Sequence, residues 1–158
     1  MRNSTTLGLL AGAAALFALG CATSSQEVTK AGDFQEGGVG RPIATKPAPG
    51  LDTVYFDYDR AEIRNDARGK LQGNASVIED KKWERVVLEG HCDERGAEEY
   101  NLALGERRAV AVKQYLMNLG VPASNVTTVS YGEARPAKPG HDETSWQYNR
   151  RVEFGLPR

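Results

Sequence analysis

Hydrophobic and polar positions alternate along this chain with two different periods, and the switch between them divides the sequence into elements. Thr53-Val54-Tyr55-Phe56-Asp57-Tyr58 has the β-branched and aromatic content of a strand, with Asp59-Arg60 beginning the turn out of it. From about Asn65 the spacing becomes three and four: Ala67, Leu71, Ala75 and Ile78 mark one face of an amphipathic helix. Gly69 and Gly73 weaken that helix by about 1 kcal/mol each relative to Ala, so its apolar side must pack on a sheet. Arg85 to His91 reads as a second strand, and Gly96 opens the turn into the longest helix, from about Ala97 to Leu119, stopped by Gly120 and Pro122. Val126 to Tyr131 gives a third strand. A polar connection through Pro136 and Pro139 leads to a short helical turn around Thr144 to Asn149, and Val152 to Leu156 closes as the last strand. Strands alternating with helices predict an α/β (α+β) sandwich, a small mixed sheet with helices on one or both faces. The order of the strands stays open.

Upstream the pattern is of another kind. Residues 1–20 carry one charge, Arg2, followed by an apolar run from Leu7 to Leu19. That run is too short for a permanent membrane helix and has the layout of a signal peptide. It ends at Ala18-Leu19-Gly20-Cys21, which resembles the bacterial lipobox and implies an acylated Cys21 as the first residue after cleavage. Residues 21–50 are rich in Ser, Thr, Gly, Gln and Pro with few large apolar side chains, too little to offset ordering entropy. As a flexible linker of about 29 residues, this stretch would reach on the order of 30 Å. The folded domain is then expected over 51–158.

Composition narrows the function. With 20 basic and 21 acidic residues interspersed, there is no electrostatic footprint for nucleic acid. Only Cys21 and Cys92 are present, so a lipidated Cys21 leaves no disulfide to support the fold. Cys92 reads as a small, partly buried residue rather than a redox centre.

The long helix separates its two arginines. At about 100° per residue, Leu102, Ala109, Val112, Leu116 and Leu119 form the core stripe, and Arg107 points away into solvent. Arg108 sits at the stripe's edge, its stem on apolar surface and its guanidinium expected to emerge at the rim. Asp93 follows the second strand where the backbone turns towards the helix, a common ligand position in α/β proteins. Acid and arginine would then face each other across a shallow pocket suited to a zwitterion. On the residues alone, a turn or N-cap role for Asp93 comes first.

The run Gly90-His91-Cys92-Asp93-Glu94-Arg95-Gly96, continued by Tyr100, Asn101, Leu104, Arg108 and Ala109, resembles the signature of OmpA-like peptidoglycan-binding domains, most closely those of peptidoglycan-associated lipoproteins. The resemblance extends to Tyr55-Phe56-Asp57, Val129-Ser130-Tyr131-Gly132, Gly140-His141-Asp142-Glu143 and Asn149-Arg150-Arg151-Val152. It implies an OmpA-like βαβαβ-type domain that grips meso-diaminopimelate in the peptidoglycan stem peptide. Carried over, Asp93 would accept from the ammonium, Arg108 would fork the carboxylate, and Phe56, Asp57, Asn101 and Leu104 would line the rest. It further implies a lipid anchor in the outer membrane, a domain facing the periplasm, and TolB and other Tol proteins of the division-linked Tol-Pal system as partners. No cofactor and no metal are expected. Two alternatives remain: an OmpA-like paralogue outside that system, and a cell-wall hydrolase using His91, Asp93 and Glu94 with distant His141. The second lacks a His-x-x-x-His spacing, a cysteine cluster or any nucleophile beside a base.

Overall fold

The computed structural model describes residues 43–158. The N-terminal apolar run, Cys21 and most of the expected linker lie outside the described residues. Five strands, β1 (Thr45–Pro47), β2 (Val54–Tyr55), β3 (Val86–His91), β4 (Val126–Gly132) and β5 (Arg151–Pro157), form one mixed sheet. Its order is β1-β5-β3-β4, with β2 also pairing with β5. Only β3 and β4 run parallel; β5 is antiparallel to β1, β2 and β3. The helices are α1 (Asn65–Asp80), α2 (Glu98–Asn118) and α3 (Glu143–Asn149).

Side-chain alternation explains how the sheet uses its two faces. Val86 and Leu88 of β3, Val126 of β4 and Val152 and Phe154 of β5 join Ala67, Leu71, Ile78, Ala109, Val112 and Leu116 of α1 and α2 in the main core. The intervening Val87, Val129 and Tyr131 gather on the other face with Ile43. Helix α2 lies very close to the strand beneath it. A Cβ built on Gly90 would stand 2.0 Å from the carbonyl oxygen of Gly105, so both positions must be glycine for helix and strand to touch backbone to backbone.

The expected elements are present, with three differences. Strand β1 falls at residues 45–47, inside the segment read as linker. Three residues ending in proline carry no periodicity, and their order comes from pairing with β5. The first expected strand shortens to Val54–Tyr55, because the chain turns at Asp57 to Arg60 with Asp59 at φ 53°. On α2, the buried face is Asn101, Leu104, Gly105, Arg108, Ala109, Val112 and Leu116; Leu119 is exposed. Arg108 therefore belongs to the buried face itself, not to its edge.

Candidate functional site

At the C-terminal end of β3 the chain leaves the sheet through Cys92 to Ala97 and enters α2. A pocket of about 100 Å³ opens there, lined by Tyr58, Asp59, Cys92, Asp93, Arg95, Gly96, Tyr100, Asn101, Leu104 and Arg108. Asp93 and Arg108 thus share one pocket, as the sequence pattern anticipates. Asn101 and Leu104 line it too. Phe56 and Asp57 do not contribute side chains: Phe56 is in the core, and the exposed Asp57 carboxylate pairs with Arg64 at 3.2 Å. Their carbonyl oxygens instead hold arginines from below, Phe56 taking Nε of Arg150 at 3.1 Å and Asp57 taking Nη2 of Arg108 at 3.1 Å.

Arg108 is completely buried, which corrects the expectation of a guanidinium emerging at the rim. Its Nε donates to the Arg60 carbonyl at 2.8 Å, Nη1 to the His91 carbonyl at 2.8 Å and to Cys92 Sγ at 3.3 Å. The turn after β2 and the end of β3 supply these acceptors, so a charged head can occupy a position that helical phase would give to an apolar side chain. Burial lowers its pKa, with Cys92 and Asp93 opposing. Of the five N–H groups of a guanidinium, three point at carbonyls and one at a weakly accepting sulfur. The remaining N–H and the sulfur-directed one are what an incoming carboxylate can claim.

Asp93 is held from two sides. Its Oδ1 accepts from the backbone N and Nε of Arg95 at 3.1 and 3.2 Å, and Oδ2 from Arg95 Nη2 at 2.7 Å and Arg150 Nη1 at 3.3 Å. Burial alone would raise its pKa, but the hydrogen bonds from Arg95 and Arg150 outweigh burial and hold the carboxyl below the usual range. Arg150 is anchored in turn by Glu143 at 2.5 Å, at the start of α3, whose N-cap Asp142 accepts from Ser145 N. Asn101 donates to the carbonyls of Asp93 and Arg95 and to Glu133, pinning the loop between β3 and α2.

Arg95, Tyr58, Asp59, Tyr100 and Arg150 are contributors that sequence reasoning missed. The Arg95 guanidinium lies 3.8 Å from the ring centroid of Tyr58 and 4.0 Å from that of Trp146, a cation held between two aromatic faces. Tyr58 and Tyr100 are half exposed beside the pocket, and the Tyr100 hydroxyl donates to Asp59. The visible signal was an arginine two residues after the candidate acid; which aromatics meet it depends on tertiary folding. Cys92 is buried, donates to the Asn101 carbonyl at 3.2 Å, and has its pKa pushed up to about 11 by burial, an unreactive thiol.

The residues considered for hydrolysis do not converge. Glu94 accepts from His141 at 2.7 Å and Trp146 at 3.0 Å on the surface, Asp93 is taken by arginines, and His91 is buried on the sheet's other face. Among the described residues no helix is long and apolar enough to cross a membrane.

A mixed sheet covered on one face by helices, with an acid and an arginine in a pocket at a strand end, defines a small α/β domain. Residues 55–150 match the model of the OmpA family, and the chain belongs to that family. Within it the chain is similar to proteins named peptidoglycan-associated lipoprotein. That of Pseudomonas aeruginosa is 50% identical over 104 residues, covering 66% of this chain and 61% of the relative, so this chain spans less than two thirds of that protein's length. That of Pasteurella multocida is 40% identical over 152 residues, covering 96% of this chain and 97% of the relative. Among solved structures, the peptidoglycan-associated lipoprotein from Burkholderia pseudomallei superimposes with a TM-score of 0.63 at 40% identity, over 65% of this chain and 87% of that one. These relatives carry the name of a lipoprotein, not of an enzyme.

Proposed function

We propose that the chain is a non-catalytic lipoprotein whose pocket binds the diaminopimelate-containing stem peptide of peptidoglycan, tethering the outer membrane to the cell wall. The observation that carries this reading is the convergence of Asp93 and Arg108 on one pocket in a chain of the OmpA family. The ligand's carboxylate would meet the one uncommitted N–H of Arg108 and the one now directed at Cys92 Sγ. Its ammonium would approach Asp93 and share or replace the bonds now made by Arg95, while Tyr58, Tyr100 and Leu104 present apolar surface to the aliphatic stem. Acylated Cys21 supplies the anchor, the domain faces the periplasm, and TolB and other Tol proteins are the partners this reading implies.

A pull-down with purified sacculi tests it. Asp93→Ala should lose most binding, since removing one partner of a desolvated charge pair typically costs about 2–5 kcal/mol. Arg108→Lys keeps a charge but not the planar fork, and should bind poorly. Arg107→Ala, exposed on α2 with its guanidinium 5.5 Å from the Tyr100 ring centroid, should lose far less binding than either. Diaminopimelate-type wall should be preferred over lysine-type wall, which lacks the second carboxylate. Full retention by folded Asp93→Ala and Arg108→Lys, or equal binding to both walls, would overturn the assignment.

A further inference from the structure

The face of the sheet opposite the helices holds a polar group that the pocket does not use. Glu89 of β3 stands directly across from Glu153 of β5 in the antiparallel register. His91 follows Glu89 by two residues and so faces the same way, beside Val87, Val129 and Tyr131. One ligand-capable atom from each of Glu89, His91 and Glu153 lies within 4.8 Å of the others. Like charges directly opposite on neighbouring strands repel; Arg151 pairs with Glu153 at 2.5 Å, while Glu89 accepts from the Thr45 hydroxyl.

A second observation points to a metal cation. His91 is 1% exposed, and among the described residues neither of its ring nitrogens has a hydrogen-bond partner. Buried polar atoms are nearly always paired, so an imidazole aimed at two carboxylates with neither nitrogen engaged is a ligand in waiting. Its ring stacks on Tyr131 at 5.5 Å with 25° between planes, which fixes its orientation and leaves its edge free. A register shift against β4 falls between Gly90 and His91, with Tyr131 as the extra residue on β4.

We propose that Glu89, His91 and Glu153 bind a zinc ion that clips β3 to β5, with water completing a tetrahedral shell. One imidazole with two carboxylates suits zinc, whereas calcium and magnesium favour all-oxygen sets. Zinc bonds of about 2.0–2.2 Å place tetrahedral ligand atoms roughly 3.3 Å apart, so the side chains must close in slightly. Glu153 is partly exposed and can move. Of the neighbouring cations, Arg151 already pairs with Glu153 at 2.5 Å and donates to the carbonyls of Asn149 and Arg135, so zinc must take the other oxygen of Glu153; Arg135 lies 3.7 Å from the Tyr131 ring centroid. They weaken the site without occupying His91. Thr45 donates to Glu89 and places β1 over the same carboxylate, so the clip also gathers the edge strand. This site lies apart from the pocket and does not rest on its assignment.

The test is titration of the full-length chain with Zn²⁺ against a chromophoric chelator at neutral pH. One equivalent should bind, and zinc should raise the thermal midpoint. His91→Gln and Glu153→Gln should each weaken binding at least tenfold, while His141→Ala, removing the exposed histidine, should leave it unchanged. Zinc-edge X-ray absorption should show one imidazole and oxygen ligands without sulfur. Should His91→Gln fail to fold, Glu153→Gln at the partly exposed position still decides. Absence of stoichiometric binding, affinity unchanged in Glu153→Gln, or sulfur in the zinc shell would overturn the proposal.

Discussion

Asp93 meets its cations before any ligand arrives, and that sets the behaviour of the residue beside it. Arg95 competes for the oxygens a ligand ammonium would use, while its aromatic bed between Tyr58 and Trp146 and the Glu143 carboxylate 3.7 Å away give it somewhere to stay when displaced. Arg95→Ala should therefore tighten binding of a diaminopimelate peptide. A partly exposed ion pair is worth about 1 kcal/mol at most, so the gain should be about fivefold. Trp146 fluorescence can report the titration, and weakened binding would make Arg95 a ligand contact rather than a competitor. At this scale the sequence was legible where helical phase alone decides: Arg107 is exposed, as its phase requires. It was not legible for Arg108, because the carbonyls of Asp57, Arg60 and His91 that receive it come from sequence positions 51, 48 and 17 residues away.

Among elements, helix α1 and strand β3 carry opposite instructions about glycine. Gly69 and Gly73 lie on the exposed side of α1, and a Cβ at either meets nothing within 4 Å. Alanine at each should stabilise the domain by about 0.8–1 kcal/mol, raising the midpoint of a thermal melt by several degrees per substitution. Gly90→Ala should do the reverse, because its new methyl meets the Gly105 backbone rather than a movable side chain. Overpacking of this kind costs about 1–3 kcal/mol or more, and chemical denaturation would measure it. Composition announced the weakness of α1 but not the contact at Gly90, since a glycine needed for backbone approach looks no different in sequence from one that is merely tolerated. Strand β1 was hidden for a related reason: its three residues are ordered by what they pair with. The helices and the inner strands, whose apolar spacing reflects their own burial, were readable to within a few residues.

For the whole molecule, the proposed tether depends on Cys21 and the domain acting as one chain. Cys21→Ser should abolish fatty-acid incorporation and leave the precursor unprocessed; at about 0.8 kcal/mol per buried CH₂, loss of the acyl chains should release any processed protein from the membrane. Metabolic labelling followed by membrane fractionation checks both outcomes. The sheet's strand order has a mechanical meaning for such a tether. Both β1 and β3 pair antiparallel with β5 and so run the same way, which puts Thr45 at the end of the sheet away from the pocket beyond His91. Tension between a ligand in that pocket and the chain preceding Thr45 runs along the strands, and the backbone bonds joining β1 to β5 resist it together in shear. Tension between the two ends of the domain would open the same bonds one after another, starting where Arg158 N meets the Ala44 carbonyl at 3.0 Å. Single-molecule pulling should therefore show a higher rupture force with handles at the N-terminal side and at Glu98→Cys near the pocket than with handles at the two ends, and equal forces would mean that β1 yields without regard to direction.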